Sequence, residues 1–95
     1  MIALEGDRLM LSGRLVMSTV PALYEAGMQH LASADLLVDF ANVEAVDSAA
    51  VSMLLAWTRA AQAKQRSLRV ANVPQDLISL ANLYGVAEML PATNI

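Results

Sequence analysis

Apolar residues recur along this chain with two different periods, and the alternation between them lays out the fold. Ile2 to Leu4, a Gly6-Asp7 turn and Arg8 to Ser12 read as a β-hairpin whose second strand ends at Gly13. Ser18-Thr19-Val20-Pro21 opens a helix, with a hydroxyl cap and a proline in the first turn, where a missing N–H costs nothing. Val20, Leu23, Tyr24, Gly27 and Leu31 form its apolar stripe. Leu36 to Phe40 is a short apolar run bounded by polar residues, the pattern of a buried central strand, and Asn42 to Asp47 reads as the loop out of it. A second helix is expected from Ser48 to Gln65 and a strand from Leu68 to Ala71. Pro74-Gln75-Asp76 starts a third helix with Leu77, Leu80, Ala81 and Tyr84 on its inner face, and Gly85 stands where a C-terminal cap belongs. Val86 to Leu90 reads as an edge segment that Pro91 stops.

The order β-β-α-β-α-β-α predicts one α/β domain over residues 1–95. Its sheet is mixed but mostly parallel, with about four to five strands and three helices. In such sheets functional residues gather at the C-terminal ends of strands, which directs attention to residues 41–48.

The second helix has two faces. With Val51 at the centre of a helical wheel, Leu54, Leu55, Thr58 and Gln62 fall on the side expected to lie on the sheet. Ala49, Ala50, Met53, Trp57 and Ala60 fall opposite, where a surface helix is normally polar. Either neighbouring helices cover Met53 and Trp57, making them core, or they form a partner-binding patch beside Ser48, since Trp and Met are favoured at interface centres. Tyr24 carries the same two readings: core ring, or amphipathic tip facing a partner.

Composition narrows the function. Hydrophobic residues make up 57% of the chain, much of it alanine, which suits helices lying close on a sheet. The excess of apolar residues beyond one small core hints at a partner surface. A net charge of −3 argues against nucleic-acid binding. The cluster Arg59, Lys64, Arg66 and Arg69 reads as cations complementing the dipole at a helix end. With no cysteine, disulfides, thiolate nucleophiles and Cys-ligated zinc are excluded. No signal-peptide or membrane-spanning run appears, so a cytoplasmic location is expected.

The segments Leu37-Val38-Asp39-Phe40 and Val46-Asp47-Ser48-Ala49-Ala50-Val51-Ser52-Met53-Leu54-Leu55 together resemble the signature of STAS domains, the fold of anti-sigma factor antagonists and of sulfate-transporter tails. Leu11-Ser12-Gly13-Arg14-Leu15 looks like the family's second strand. Leu80-Ala81-Asn82-Leu83-Tyr84-Gly85-Val86, ending in Leu90-Pro91, looks like the MlaB-type small STAS subunit of the Mla phospholipid-trafficking ABC transporter.

The resemblance implies a non-enzymatic accessory subunit, cytoplasmic and peripheral to the inner membrane. It would bind the transporter's ATPase through Asp47, Ser48, Ala49, Met53, Trp57 and Tyr24. It also implies an alternative, an antagonist released from an anti-sigma kinase when Ser48 is phosphorylated. The physical basis is common to both: Asp47 or Ser48 can cap the helix, and the hydroxyl sits by the positive end of its dipole. The family pattern has glycine at position 50, and in Mla-type subunits also at 49. The two alanines here stiffen the helix start and are expected to hinder a kinase.

Nothing points to catalysis. His30, expected at the surface, has no carboxylate at triad or ligand spacing, Ser48 lacks a nearby base, and no glycine-rich phosphate loop occurs. Asp39 and Asp47 alone make a poor metal site. The expectation is therefore no cofactor, no metal, no small-molecule substrate and no direct membrane insertion.

Overall fold

Gly6, at φ +64°, turns the chain within a two-residue loop so that β1 (Ile2–Glu5) runs antiparallel to β2 (Arg8–Leu15). Helix α1 (Val20–Leu31) carries the chain back, and β3 (Leu36–Val46) lies parallel to β2. Helix α2 (Ser48–Ala63) makes the second crossover, to the parallel strand β4 (Leu68–Ala71). Helix α3 (Gln75–Leu83) follows. The computed structural model describes residues 2–32 and 34–90, and the sheet order is β1-β2-β3-β4. The expected class, a mixed and mostly parallel sheet with three helices, is the observed one.

Three expectations need correction. Strand β2 continues through Gly13, which takes φ +80°, to Leu15, and β3 runs to Val46 rather than ending at Phe40. The extra length of β3 carries two irregularities: Met10 pairs with Asp39 but Ser12 with Asn42, and Gly13 with Val43 but Arg14 with Ala45. Each inserts one residue into β3, a bulge that mimics loop composition in the sequence while the ladder persists. Second, Val86–Leu90 forms no strand. Gly85 at φ +71° closes α3 with Gly85 N–H on Asn82 O (3.1 Å) and Val86 N–H on Ala81 O (2.9 Å), and a 3-10 turn (Ala87–Met89) follows. Pro91 lies outside the described residues. Third, the hydroxyl cap expected on α1 is absent. Thr19 Oγ1 instead donates to Arg14 O (2.6 Å) and accepts from Val16 N–H (3.0 Å), tying down the turn between β2 and α1.

One cluster forms the core. Leu9, Leu11, Val38, Phe40 and Val70 rise from one face of the sheet against Leu23 and Leu31 of α1, Val51 and Leu54 of α2, and Leu77 of α3. Alternate strand positions point the other way. There Asp39 is 3% exposed and fully partnered. Its carboxylate pairs with Arg8 and accepts from Ala41 N–H (2.9 Å) and Asn72 Nδ2 (3.0 Å). Burial pushes its pKa up, but the hydrogen bonds from Asn72, Ala41 and Arg8 outweigh it and hold the group below the ordinary aspartate value of 3.8. Asn72, at φ +56°, sits in a backbone conformation asparagine tolerates, so the same contact fixes the turn from β4 into α3.

Candidate docking site at the start of the second helix

The last ladder step delivers the site. Asp47 N–H donates to Leu15 O (3.1 Å), and Asp47 then adopts extended φ/ψ of −132° and −168° as the cap of α2. Its Oδ1 accepts from Ala49 N–H (2.8 Å) and its backbone carbonyl from Ala50 N–H (3.0 Å). Its Oδ2 accepts from Met17 N–H (3.0 Å), 30 residues earlier in the chain. Of the two capping candidates, Asp47 therefore does the capping, while Ser48 is the exposed first residue of the helix.

Ser52 follows Ser48 by one turn and is also exposed, so the two hydroxyls form a low ridge. A groove lies on each side. One, of about 470 Å³, separates the ridge from α1 and is walled by Met17, Val20, Pro21 and Tyr24 against Ala49, Met53 and Ala56. The other, of about 380 Å³, lies between the ridge and the end of α3 and is lined by Val51, Leu55, Tyr84 and Val86. Met17 is 74% exposed and Tyr84 52%, so both present apolar surface to solvent.

Met53 and Trp57 are not part of an open face. Trp57 is 0% exposed and Met53 2%. The indole lies across Gly27 of α1, where any Cβ would overlap it, and its Nε1 donates to Tyr24 O (3.1 Å). Covering by α1 is thus the reading of the two that holds. Only the margin of Met53 reaches a groove. The buried side of α2 is Ala50, Val51, Met53, Leu54, Trp57 and Ala61, with Leu55 and Thr58 half-buried and Gln62, expected on the sheet side, exposed. A helix packed between a sheet and a neighbouring helix buries a wider arc than one resting on the sheet alone.

Ala50 is buried, so its methyl group faces the core and presents no obstacle at the surface. Tyr24 is half-buried: its backbone carbonyl accepts from Trp57 Nε1, and the residue lines the first groove. Tyr84, assigned from its spacing to the inner face of α3, is instead the half-exposed residue that ends that helix. His30 is half-buried in the last turn of α1. Ser52, Met17, Pro21 and Val86 line the grooves without belonging to the contact set expected from the sequence. Ser52 was findable from its four-residue spacing to Ser48; the others come from distant segments that only the fold unites.

No helix among the described residues is long and apolar enough to cross a membrane. A family model described as "Mlab, STAS domain" matches residues 2–91. Among curated proteins none matches. Similar solved structures include the anti-sigma factor antagonist SpoIIAA in its unphosphorylated form (TM-score 0.75, 13% identity, covering 100% of this chain and 87% of that one). A putative anti-sigma factor antagonist from Thermotoga maritima is also similar (0.79, 9%, covering 99% and 85%). So is an anti-sigma-factor antagonist (STAS) domain protein from Planctomyces limnophilus (0.77, 15%, covering 100% and 89%). At these identities the likeness is one of fold.

Proposed function

The chain belongs to the STAS domain family, in its MlaB-type branch, and from that premise we propose that it is a non-enzymatic accessory subunit of an Mla-type phospholipid ABC transporter. It binds the transporter's ATPase with the face around Ser48 and Ser52, stabilising or regulating the assembly on the cytoplasmic side of the inner membrane. The observation that carries this reading is the pair of apolar grooves flanking a ridge of small residues, on a chain whose matching family model is the MlaB type. Interfaces draw their affinity from a few apolar anchors seated in such pockets. Of the residues expected to make contact, Ser48, Ala49 and Tyr24 line the grooves directly. Asp47 holds the walls, and Trp57 supports them from beneath.

A second reading is favoured by two observations: the Ser48 hydroxyl is exposed at the start of α2, and the similar solved structures include anti-sigma factor antagonists. In that reading the same face binds a serine kinase and phosphorylation of Ser48 releases it. The Asp47 carboxylate weighs against this, because it already engages the Ala49 N–H that would otherwise help receive a phosphate.

The test is affinity capture of the tagged chain from its own cells, followed by mass spectrometry. Recovery of an ABC ATPase, lost on Ser52→Arg while the melting temperature holds, supports the transporter reading. A serine kinase in the capture, together with phosphate on Ser48, replaces it with the second.

A further inference from the structure

We infer that Met17 is an oxidation site that switches the docking face off: conversion of its thioether to the sulfoxide sets a polar S–O group at the first groove. This rests on the docking reading above and gives that face a regulation.

With no cysteine in the chain, methionine is the side chain that can gain and lose oxygen at sulfur reversibly. Oxidation follows exposure, and exposure singles out two of the described methionines. Met17 is 74% exposed and Met89 57%, whereas Met10 and Met28 are half-buried and Met53 is 2% exposed. Of the exposed pair, only Met17 lines a groove beside the ridge. Met89 lies in the 3-10 turn after α3 and lines a separate depression with Gln62 and Arg66, by the C-terminal end of α2.

The oxidant class is a peroxide. A sulfur lone pair attacks one oxygen of hydrogen peroxide, an S–O bond forms and the O–O bond breaks. The proton on the transferred oxygen passes to the departing hydroxide, which leaves as water. Sulfur is oxidised by two electrons and peroxide is reduced by the same two. A methionine sulfoxide reductase reverses the change, a dithiol becoming a disulfide as the oxygen leaves in water.

The fold holds the oxidised residue where it matters. Met17 N–H donates to Asp47 Oδ2 (3.0 Å), and Val16 N–H donates to Thr19 Oγ1 (3.0 Å). Both donors are backbone groups, which oxidation at sulfur leaves intact, so residue 17 stays beside the groove. Apart from Tyr24 and the ridge serines, the described lining of that groove is apolar, with Val20, Pro21, Ala49 and Ala56 among its walls. A thioether is soft and nearly apolar, whereas a sulfoxide oxygen is a strong acceptor that a docking partner must strip of water.

The full chain is treated with dilute hydrogen peroxide, mapped by peptide mass spectrometry and titrated against the purified Mla-type ATPase. Met17→Leu, Met17→Gln and Met89→Leu are run beside wild type. Met17 and Met89 should gain oxygen at least about fivefold faster than Met53. Affinity for the ATPase should fall about tenfold once Met17 is oxidised, the cost of burying one unpaired polar group, and methionine sulfoxide reductase should restore it. Peroxide should leave the affinity of Met17→Leu where it began and weaken Met89→Leu as it weakens wild type. Met17→Gln should bind weakly without peroxide, and it is the readout if treatment lowers the melting temperature of wild type. Wild-type binding that is unmoved with Met17 oxidised, or a loss that persists in Met17→Leu, overturns the inference and leaves the docking reading standing. Unoxidised wild type that does not bind the ATPase overturns the reading and the inference together.

Discussion

The two sides of α2 differ in bulk and have opposite fates. On one side Met53 and Trp57 disappear beneath α1; on the other Ser48 and Ser52 stay in solvent, with Ala49 and Ala56 half-buried beside them. What separates them is one glycine. Gly27 lets the α1 backbone approach the indole face, so the bulky pair fills the seam between the helices and leaves a small-residue edge beside it. Bulk therefore marks the buried support and small size marks the exposed edge, the reverse of what residue type suggests when the sequence is read alone.

The contrast can be broken most directly at Trp57. Trp57→Ala removes a fully buried ring and is expected to cost about 3–5 kcal/mol, enough to unfold much of the population in a urea titration. A folded variant of wild-type stability that had merely lost its partner would return Trp57 to the interface. Gly27→Ala probes the same seam from the other helix. Its methyl group meets the indole, and a loss of about 1–3 kcal/mol is expected for such overpacking.

Asp47→Ala lies between the two regions. It removes the cap and the bond to Met17, and a loss of about 1–2 kcal/mol is expected by thermal melting, with Asp47→Ser recovering part of it. Recovery of stability without recovery of partner binding would locate the importance of Asp47 in the Met17 contact. The smallest stability effect belongs to Ser52→Arg, within about 0.5 kcal/mol of wild type because the position is exposed on a helix that tolerates arginine. Its readout is affinity. A Ser52→Arg protein that still binds its partner normally would show that the ridge is ordinary surface.

Elements whose signals are local were legible in the sequence. The Gly6-Asp7 hairpin, the apolar stripe of α1 and the Gly85 cap each rest on residues a few positions apart, and each is where expected. The Asp47–Ser48 start of α2 was legible for the same reason. The tail of β3 was not, because two bulges place Asn42 and Glu44 in solvent and give a strand the polarity of a loop. Nor was the fate of Trp57. A helical wheel ranks positions by angle around one helix, and burial of the indole depends on Gly27, which is 30 residues away. Met17 and Tyr84, on either side of the ridge, are likewise joined to it only by tertiary structure.

The two-armed grip of Asp47 bears on the thermodynamics of association. One carboxylate holds Met17 on the α1 side and Ala49 on the α2 side, so the mouth of the first groove is set before any partner arrives. A surface organised in advance loses little conformational entropy on binding, and more of its contact energy survives as affinity. Cutting one arm would leave the grooves present on average but variable in width. The deficit would then appear as an unfavourable binding entropy in calorimetry, with the apolar contact area unchanged.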